Sequence, residues 1–212
     1  MRVFPPYSSL SDWPSTWAEE MRKRSGENCI ALVLNGCCGN INPWDPFDPD
    51  FTADHRRMGR TLADTTEKVL ETLEVEEDDM LDYKVHRLNI PLCEVEPELL
   101  REAEAELVRH PEPFWNEGKA HAAYEGAQTQ GTRTIDSDWM KATSIMSIHY
   151  QRQEQAEVNY EIQVFRIGRT AIVGLPGEPF VEGQLRIKMI SPAYKTYVAH
   201  CCNAYGGYLP IR

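Results

Sequence analysis

Apolar residues follow two kinds of pattern, which take turns along this chain. Short continuous or alternating apolar runs favour β-strands, and apolar residues that recur every three or four positions favour helices with one buried face. These patterns predict strands over 29–34, 85–92, 158–167, 170–173 and 194–199, and helices over 15–24, 52–73, 97–110, 138–153 and 181–190. Strands that alternate with helices, together with one hairpin at Gly168-Arg169, predict an α/β fold with a mixed β-sheet and flanking helices.

Some of these elements carry predictions about burial. The run CIALVL at 29–34 is continuously apolar, so we expect a strand buried on both faces. The two N-terminal helices each carry an apolar stripe that we expect to face the core. The stripes are Trp13, Trp17 and Met21 in one helix and Met58, Leu62, Val69, Leu70 and Leu73 in the other. Residues 111–137 have no clear period, which is typical of a functional loop or an excursion with its own short helix.

Composition and charge narrow the classes of protein. The chain has 212 residues, enough for one sizeable domain or two small ones, and its 42% hydrophobic and 26% charged residues are ordinary for a globular protein. We predict a single α/β domain over 1–212. A net charge of −11 argues against a general nucleic-acid binder, because no basic stripe is available to neutralise phosphates. No apolar run reaches membrane-spanning length and MRVFPPYSSL lacks the apolar core of a signal peptide. Cellular location and oligomeric state stay open.

The cysteines and an acidic loop offer two weaker metal hypotheses. The six cysteines are Cys29, Cys37, Cys38, Cys93, Cys201 and Cys202. Their spacing indicates neither a disulfide framework nor a CxxC zinc site, so we expect packing residues, with a soft metal between the two adjacent pairs as the alternative. The acidic proline loop 44–51 has three aspartates but lacks the spacing of an EF-hand calcium loop.

Three loops, each following a predicted strand, carry the candidate chemistry. Their sequences are NGCCGNINP at 35–43, LPGEPF at 175–180 and CNAYGGY at 202–208. Ligands of α/β proteins usually bind at strand ends, and glycines there permit close approach of another group. Glu178 lies in a stiff Pro–Gly–Glu–Pro corner, which would hold its carboxylate in a cleft. The alternative is that Glu178 only caps the following helix or faces water.

Together and in this order, the three loops resemble the neutral/alkaline non-lysosomal ceramidase family and its many bacterial relatives. The SDWP of residues 11–14 is also similar to the serine–aspartate step that precedes a helix in those proteins. The resemblance covers most of this chain but only an internal part of the family's longer catalytic domain. We therefore expect a partial catalytic domain that is truncated at both ends.

The resemblance implies a zinc hydrolase. The family's catalytic zinc is held by two histidines, a glutamate and a tyrosine, which implies Glu178 and Tyr208 as metal ligands here. It also implies Gly39, Asn40 and Tyr205 as pocket residues. A zinc ion with an open position acidifies water or polarises an amide carbonyl. The implied function is therefore hydrolysis of an N-acyl bond in a lipid or a related small amide, as in ceramide.

This chain departs from the family pattern in two places. Residues 39–43 match a Gly-Asp-Val-Ser-Pro loop, so Asn42 occupies the position of the family's serine. Asparagine cannot act as the nucleophile, although it could orient a substrate or a zinc-bound water. None of the six histidines has a context that matches the family's two zinc histidines. The alternatives are a non-catalytic binding or structural homologue, and an unrelated domain in which Glu178, Tyr208 and Asn42 lie far apart.

Overall fold

The computed structural model describes residues 12–42, 47–48, 50, 54–74, 77–113, 115–116 and 134–211. Within them the helices are α1 Trp13–Ser25, α2 His55–Leu70, α3 Pro97–Arg109, α4 Ser137–Glu154 and α5 Val181–Ile190. The strands are β1 Leu81–Pro91, β2 Trp115–Asn116, β3 Thr134–Ile135, β4 Glu157–Ile167, β5 Thr170–Gly174, β6 Glu178–Pro179, β7 Lys195–Ala199 and β8 Tyr208–Leu209. None of the described helices has the length and apolarity to cross a membrane.

The main sheet has the strand order β1-β4-β5-β7 and is mixed. The pairs β1/β4 and β4/β5 are antiparallel, whereas β5 and β7 are parallel and are joined through α5. Gly168 makes the hairpin turn between β4 and β5 with a φ of 56°. Two small two-stranded sheets, β2/β3 and β6/β8, complete the described strands. These features confirm the predicted α/β fold with a mixed sheet.

One face of the sheet carries the core. Val164 on β4 is in register with Val173 on β5, which is in register with Val198 on β7. Val173 and Val198 are buried, and together with Tyr160 and further apolar groups such as Cys37, Leu175 and Ile187 they form the main hydrophobic cluster. The buried Tyr160 hydroxyl donates a hydrogen bond to the carbonyl oxygen of Pro176 at 2.9 Å. This bond ties the central strand to the Glu178 corner.

The opposite face of the sheet, here called the outer face, is largely uncovered by the residues that the structure describes. Tyr83, Phe165, Ile172 and Tyr197 are consecutive register partners across the four strands. Three of these side chains are well exposed, at 68% for Tyr83, 45% for Phe165 and 51% for Tyr197. Successive residues on a strand point to opposite faces, so the same strands supply both the core and this outer face.

The prediction for 29–34 is wrong. No strand forms there in the described chain, and the side chains alternate in exposure, with Ile30 84% and Leu32 78% exposed. Directly after the run, the carbonyl of Asn35 accepts a hydrogen bond from the amide of His200, just beyond β7, at 2.9 Å. An apolar run is typical of a buried strand, but a strand also needs a partner strand with which to form hydrogen bonds. The sequence of the run does not indicate whether such a partner is present.

The predicted stripe on the second helix is also wrong in part. Met58, Val69, Leu70 and Leu73 are between 40% and 60% exposed, whereas Gly59 and Ala63 are buried. A Cβ on Gly59 would lie 2.6 Å from the Cβ of Thr16, because α1 and α2 approach closely at these small residues. The expectation for α1 holds better, since Met21 is 4% exposed and Trp17 donates its indole N–H to Thr66 at 3.0 Å.

The bounds of α1 to α5 agree with the predicted bounds within a few residues. Asp12 and Asp54 cap α1 and α2, because the side chain of each accepts hydrogen bonds from the first backbone amides. The strand predicted at 85–92 starts earlier, at Leu81, and is mostly exposed rather than half-buried. Parts of 111–137 form the β2/β3 pair and the start of α4. Residues 114 and 117–133 of that segment, and most of the acidic loop 44–51, lie outside the described residues.

Candidate functional site

The three loops singled out in the sequence meet beyond the ends of β5 and β7. The amide of Gly39 donates to the carbonyl of Pro179 at 3.1 Å, which joins the first loop to the second. The amide of Glu178 donates to the carbonyl of Gly207 at 2.8 Å, and β6 pairs in parallel with β8, which joins the second loop to the third. The loops therefore form one hydrogen-bonded unit, here called the loop junction, made of residues 35–42, 175–182 and 200–209.

Two glycines permit this close approach. A Cβ on Gly39 would lie 2.3 Å from the backbone oxygen of Glu178. A Cβ on Gly177 would lie 2.5 Å from the backbone oxygen of Gly207, and its φ of +67° is one that other residues adopt only with strain. Both contacts are with backbone atoms, which cannot rotate away. Only glycine can therefore be accommodated at positions 39 and 177.

Glu178 sits at the centre of the junction and is partly buried. The Tyr205 hydroxyl donates a hydrogen bond to Oε1 of Glu178 at 2.8 Å. Tyr208 is the register partner of Glu178 in the β6/β8 pair. The hydrogen bond to Glu178 raises the pKa of Tyr205, and the negative charge of Glu178 raises the pKa of Tyr208. Both phenols are therefore hydrogen-bond donors beside a single carboxylate.

Asn40 has a structural task in the junction. Its Oδ1 accepts a hydrogen bond from the amide of Val181 at 2.9 Å, and its Nδ2 donates to both carboxylate oxygens of Glu182, at 3.1 and 2.9 Å. The N-cap residue of α5, Phe180, offers no side-chain hydrogen bond. Asn40 therefore caps α5 from a loop about 140 residues earlier. Since Asn40 makes the cap and Glu178 bonds Tyr205, the alternative that Glu178 only caps this helix loses its support.

The structure brings together five of the six predicted site residues: Gly39, Asn40, Glu178, Tyr205 and Tyr208. Asn42 follows on the same loop, is exposed, and precedes residues 43–46, which lie outside the described chain. Its role in catalysis stays a prediction. The unrelated domain required Glu178, Tyr208 and Asn42 to lie far apart. The pairing of Glu178 with Tyr208 speaks against it, and the position of Asn42 relative to them stays untested.

The metal hypotheses can be compared with the donor atoms present. Glu178 and Tyr208 place two oxygen ligands side by side. Across the described ranges, however, no three His, Cys, Asp or Glu side chains are grouped so that they could hold a metal ion. A protein zinc site takes three or four such ligands. The described residues therefore do not complete a zinc site, and they do not form the soft-metal site between the cysteine pairs either.

Sequence reasoning missed the arrangement of cysteines around His200. Cys38 Sγ lies 3.6 Å from Nε2 of His200, and Cys201 Sγ lies 3.4 Å from Nδ1 of the same ring. Cys38 is partly buried, and Cys201 is exposed. Burial, and after it the charge of Glu178, raises the pKa of both thiols. The only signal of this arrangement in the sequence was the presence of adjacent cysteines in two of the three loops. That signal does not indicate that an imidazole lies between Cys38 and Cys201.

Comparison with known proteins gives structural relatives only. The neutral ceramidase from Pseudomonas aeruginosa matches over 97% of this chain and 37% of its own, with a TM-score of 0.52 and 18% identity. A ceramidase solved in complex with C2 matches over 94% of this chain and 36% of its own, with a TM-score of 0.52 and 15% identity. No protein-family model and no curated protein sequence matches. The chain thus has a ceramidase-like fold and spans little more than a third of the length of these structures.

Proposed function

We propose that this chain is a ceramidase-like hydrolase that cleaves the N-acyl bond of lipid or related small amides. The observation that carries the proposal is the convergence of Glu178, Tyr205 and Tyr208 at one strand end of a ceramidase-like fold. Ligands of α/β sheets usually bind at strand ends. The position of these residues therefore favours ligand binding, and so do their residue types. The similarity to ceramidases concerns the fold, and the amide substrate is part of the proposal.

The polar groups of the junction suit an acyl substrate. Amide cleavage develops negative charge on the carbonyl oxygen, which hydrogen-bond donors held in place can stabilise. Tyr208 would be such a donor, whereas the single O–H of Tyr205 is already donated to Glu178 and would hold that carboxylate in place. Glu178 would in turn orient the phenols, or accept a proton from an attacking water within hydrogen-bond reach. The backbone contacts at Gly39 and Gly177 would keep these groups in place.

Zinc dependence is the finer part of this proposal. Glu178 and Tyr208 would supply two ligands, and the remaining ligands would come from outside the described residues, as the two family histidines do. When bound, zinc would supply Lewis acidity at this position. No step in the proposed use of Glu178, Tyr205 and Tyr208 depends on it.

The test measures hydrolysis of two substrates by the purified chain: a short-acyl fluorescent ceramide and a simple N-acyl amine. Each is assayed with added zinc and with a chelator. We expect hydrolysis that falls by about 100-fold or more in Glu178→Gln and by about 10-fold in Tyr205→Phe, since both remove groups from the reacting centre. Glu104→Gln is the matched control, because Glu104 is an exposed carboxylate on α3 and its removal should leave the rate unchanged.

Three other results would change the proposal. A folded chain that hydrolyses neither amide, with or without zinc, would instead support the non-catalytic homologue. Hydrolysis that survives Glu178→Gln would place the chemistry elsewhere in the molecule. Hydrolysis that survives the chelator, with no zinc in the purified chain by elemental analysis, would remove zinc from the proposal and leave the amide hydrolase.

A further inference from the structure

The imidazole of His200 lies between two thiols at the edge of the loop junction. Its Nε2 faces Cys38 at 3.6 Å and its Nδ1 faces Cys201 at 3.4 Å. The two ring nitrogens point in opposite directions, so the sulfurs cannot share a metal ion with the ring. A neutral imidazole carries one N–H donor and one acceptor nitrogen. One thiol must therefore donate its proton to the ring while the other sulfur accepts from it.

We propose that Cys38 is an acyl-accepting nucleophile, that His200 is its general base, and that Cys201 positions the imidazole. A nucleophile next to a base that a third group orients is the arrangement found in acyl-transfer enzymes. The inference goes beyond the proposed hydrolase, because a thiol can take an acyl group from an activated ester whether or not lipid amides are cleaved. It also supplies a nucleophile on the loop in which Asn42 cannot be one.

The location of Cys38 favours it over the other thiols. It directly precedes Gly39, whose amide bonds Pro179 and whose Cα packs against the backbone of Glu178. Cys38 is thus on the junction itself and partly buried. Because burial and the charge of Glu178 disfavour its thiolate, attack by this sulfur needs a base within reach, such as His200 at 3.6 Å. Cys37, its neighbour, is 2% exposed and belongs to the core. The tautomer with hydrogen on Nδ1 donates to the Cys201 sulfur and leaves Nε2 free to accept the proton of Cys38.

The proposed step balances without any further reagent. The Cys38 sulfur attacks the acyl carbon of R–CO–X and forms the C–S bond, while the thiol proton passes to Nε2 of His200. The C–X bond breaks, and X leaves as HX with the proton from His200. Water then attacks the thioester with His200 again as base, which releases the carboxylic acid and restores the thiol. The substrate class is therefore an acyl donor with a good leaving group, such as an aryl ester.

The experiment uses p-nitrophenyl acetate as the probe and the whole chain in a buffer that contains a chelator. Nitrophenolate release is followed by absorbance, and the acetylated residue is located by peptide mass mapping. We expect an acetyl group on Cys38, trapped by acid quench before water releases it and formed about 100-fold faster than on Cys93, because a positioned base contributes about 10²–10⁴-fold. Cys93 is an exposed free thiol and serves as an internal reference.

Variants of His200 and Cys201 distinguish activation of Cys38 by a base from simple accessibility of its thiol. His200→Gln should lower the acetylation rate of Cys38 to about that of Cys93, with circular dichroism unchanged. Cys201→Ser, which keeps an acceptor at Nδ1, should retain most of the rate, whereas Cys201→Ala should lower it. Cys93→Ala should change nothing. Since His200→Gln and the comparison with Cys93 leave Cys38 in place, the test does not depend on whether Cys38→Ala folds.

Several outcomes would overturn the proposal. Acetyl groups spread evenly over the exposed thiols, or found on Cys201 in place of Cys38, would contradict the assignment. An unchanged Cys38 rate in His200→Gln would show that the imidazole is not the base. Failure here with intact, zinc-dependent amide hydrolysis would refute only this inference. Acetylation of Cys38 without amide hydrolysis would refute only the proposed function.

Discussion

The loop junction and the outer face of the sheet place similar apolar residues in opposite surroundings. Leu175 in the junction is 6% exposed, and Tyr160, whose hydroxyl bonds Pro176 in the junction, is 7% exposed. Tyr83 and Tyr197, on the outer face, are 68% and 51% exposed. The same residue type, tyrosine, is therefore buried beside the junction and exposed on the outer face. Side-chain type alone therefore does not determine burial. Burial is determined by whether another segment packs against that face of the sheet.

The two regions also differ in how tightly they are built. At the junction, backbone hydrogen bonds link three loops that are far apart in sequence, and two glycines touch backbone oxygens. On the outer face the contacts are looser, such as the stacked rings of Tyr83 and Phe165, whose centroids are 6.4 Å apart. A rigid junction holds reacting groups in place. Substitutions should therefore be costly at the junction and nearly neutral on the outer face.

The largest effect is expected from adding one methyl group at the junction. Gly39→Ala would place a Cβ 2.3 Å from the backbone oxygen of Glu178, so the two loops must separate. We expect the free energy of unfolding to fall by about 2–4 kcal/mol. Gly183→Ala is the matched control, because nothing lies within 4 Å of its Cβ position in α5. That change should raise stability by up to about 1 kcal/mol. Urea unfolding of both variants measures the difference, and equal effects would contradict the tight junction.

The buried Tyr160 should make stability depend on alkaline pH. Burial raises the pKa of Tyr160 from 10.0 to about 12, and the unfolded chain ionises near 10. The neutral form is favoured in the fold, so its contribution is complete below pH 10 and is lost as the pH rises from 10 to 12. The free energy of unfolding should fall by about 2–3 kcal/mol over that range. Urea unfolding at each pH measures it.

Tyr160→Phe is the control for that pH dependence. The variant lacks the hydrogen bond to Pro176, so it should lose about 1–2 kcal/mol at neutral pH. The difference between the two proteins should then shrink and reverse above pH 10, since only the parent carries the ionising phenol. A constant difference from pH 8 to 12 would mean that Tyr160 is not held neutral by the core.

A smaller effect is expected from removing the long-range helix cap. Asn40→Ala deletes the acceptor for the amide of Val181 and the donor to Glu182. Loss of a cap costs about 1 kcal/mol, and hydrogen exchange should speed up in the first turn of α5. Asn40→Asp is the informative comparison, because it keeps the acceptor but places a second negative charge beside Glu182. If both variants exchange like the parent, the cap does not stabilise the helix.

The smallest effect is expected on the outer face. Tyr83→Thr keeps a residue that suits a strand and removes only an exposed ring, so stability should change by about 0.5 kcal/mol or less. Thermal unfolding measures the change. A loss of 2 kcal/mol or more would break the comparison, because it would mean that the outer face is covered in solution.

Much of the fold could be predicted because its signals are local. The start of α5 follows from the Pro–Gly–Glu–Pro corner before it, and the β4/β5 hairpin follows from Gly168 between two apolar runs. The grouping of glycines and polar residues after strands likewise indicated the three loops that meet. Each of these features depends on neighbours within a few residues, which the sequence contains.

The errors concern contacts between distant segments. The run at 29–34 is apolar but has no ladder, and the buried side of α2 is made of Gly59 and Ala63 because α1 approaches there. Neither outcome can be read from periodicity, since both depend on what packs opposite. The cap that Asn40 provides to a helix far along the chain likewise depends on a distant contact, and its role as a pocket residue stays a prediction.

Local signals specify the α/β alternation, the turn positions and the loops that carry Glu178, Tyr205 and Tyr208, because propensity, periodicity and glycine chemistry act over short distances. Folding of the whole chain is needed to bring Tyr205 to Glu178, to leave the outer face exposed among the described residues, and to place His200 between Cys38 and Cys201. Those contacts join residues from different loops and strands, and their geometry exists only once the sheet has brought those segments together.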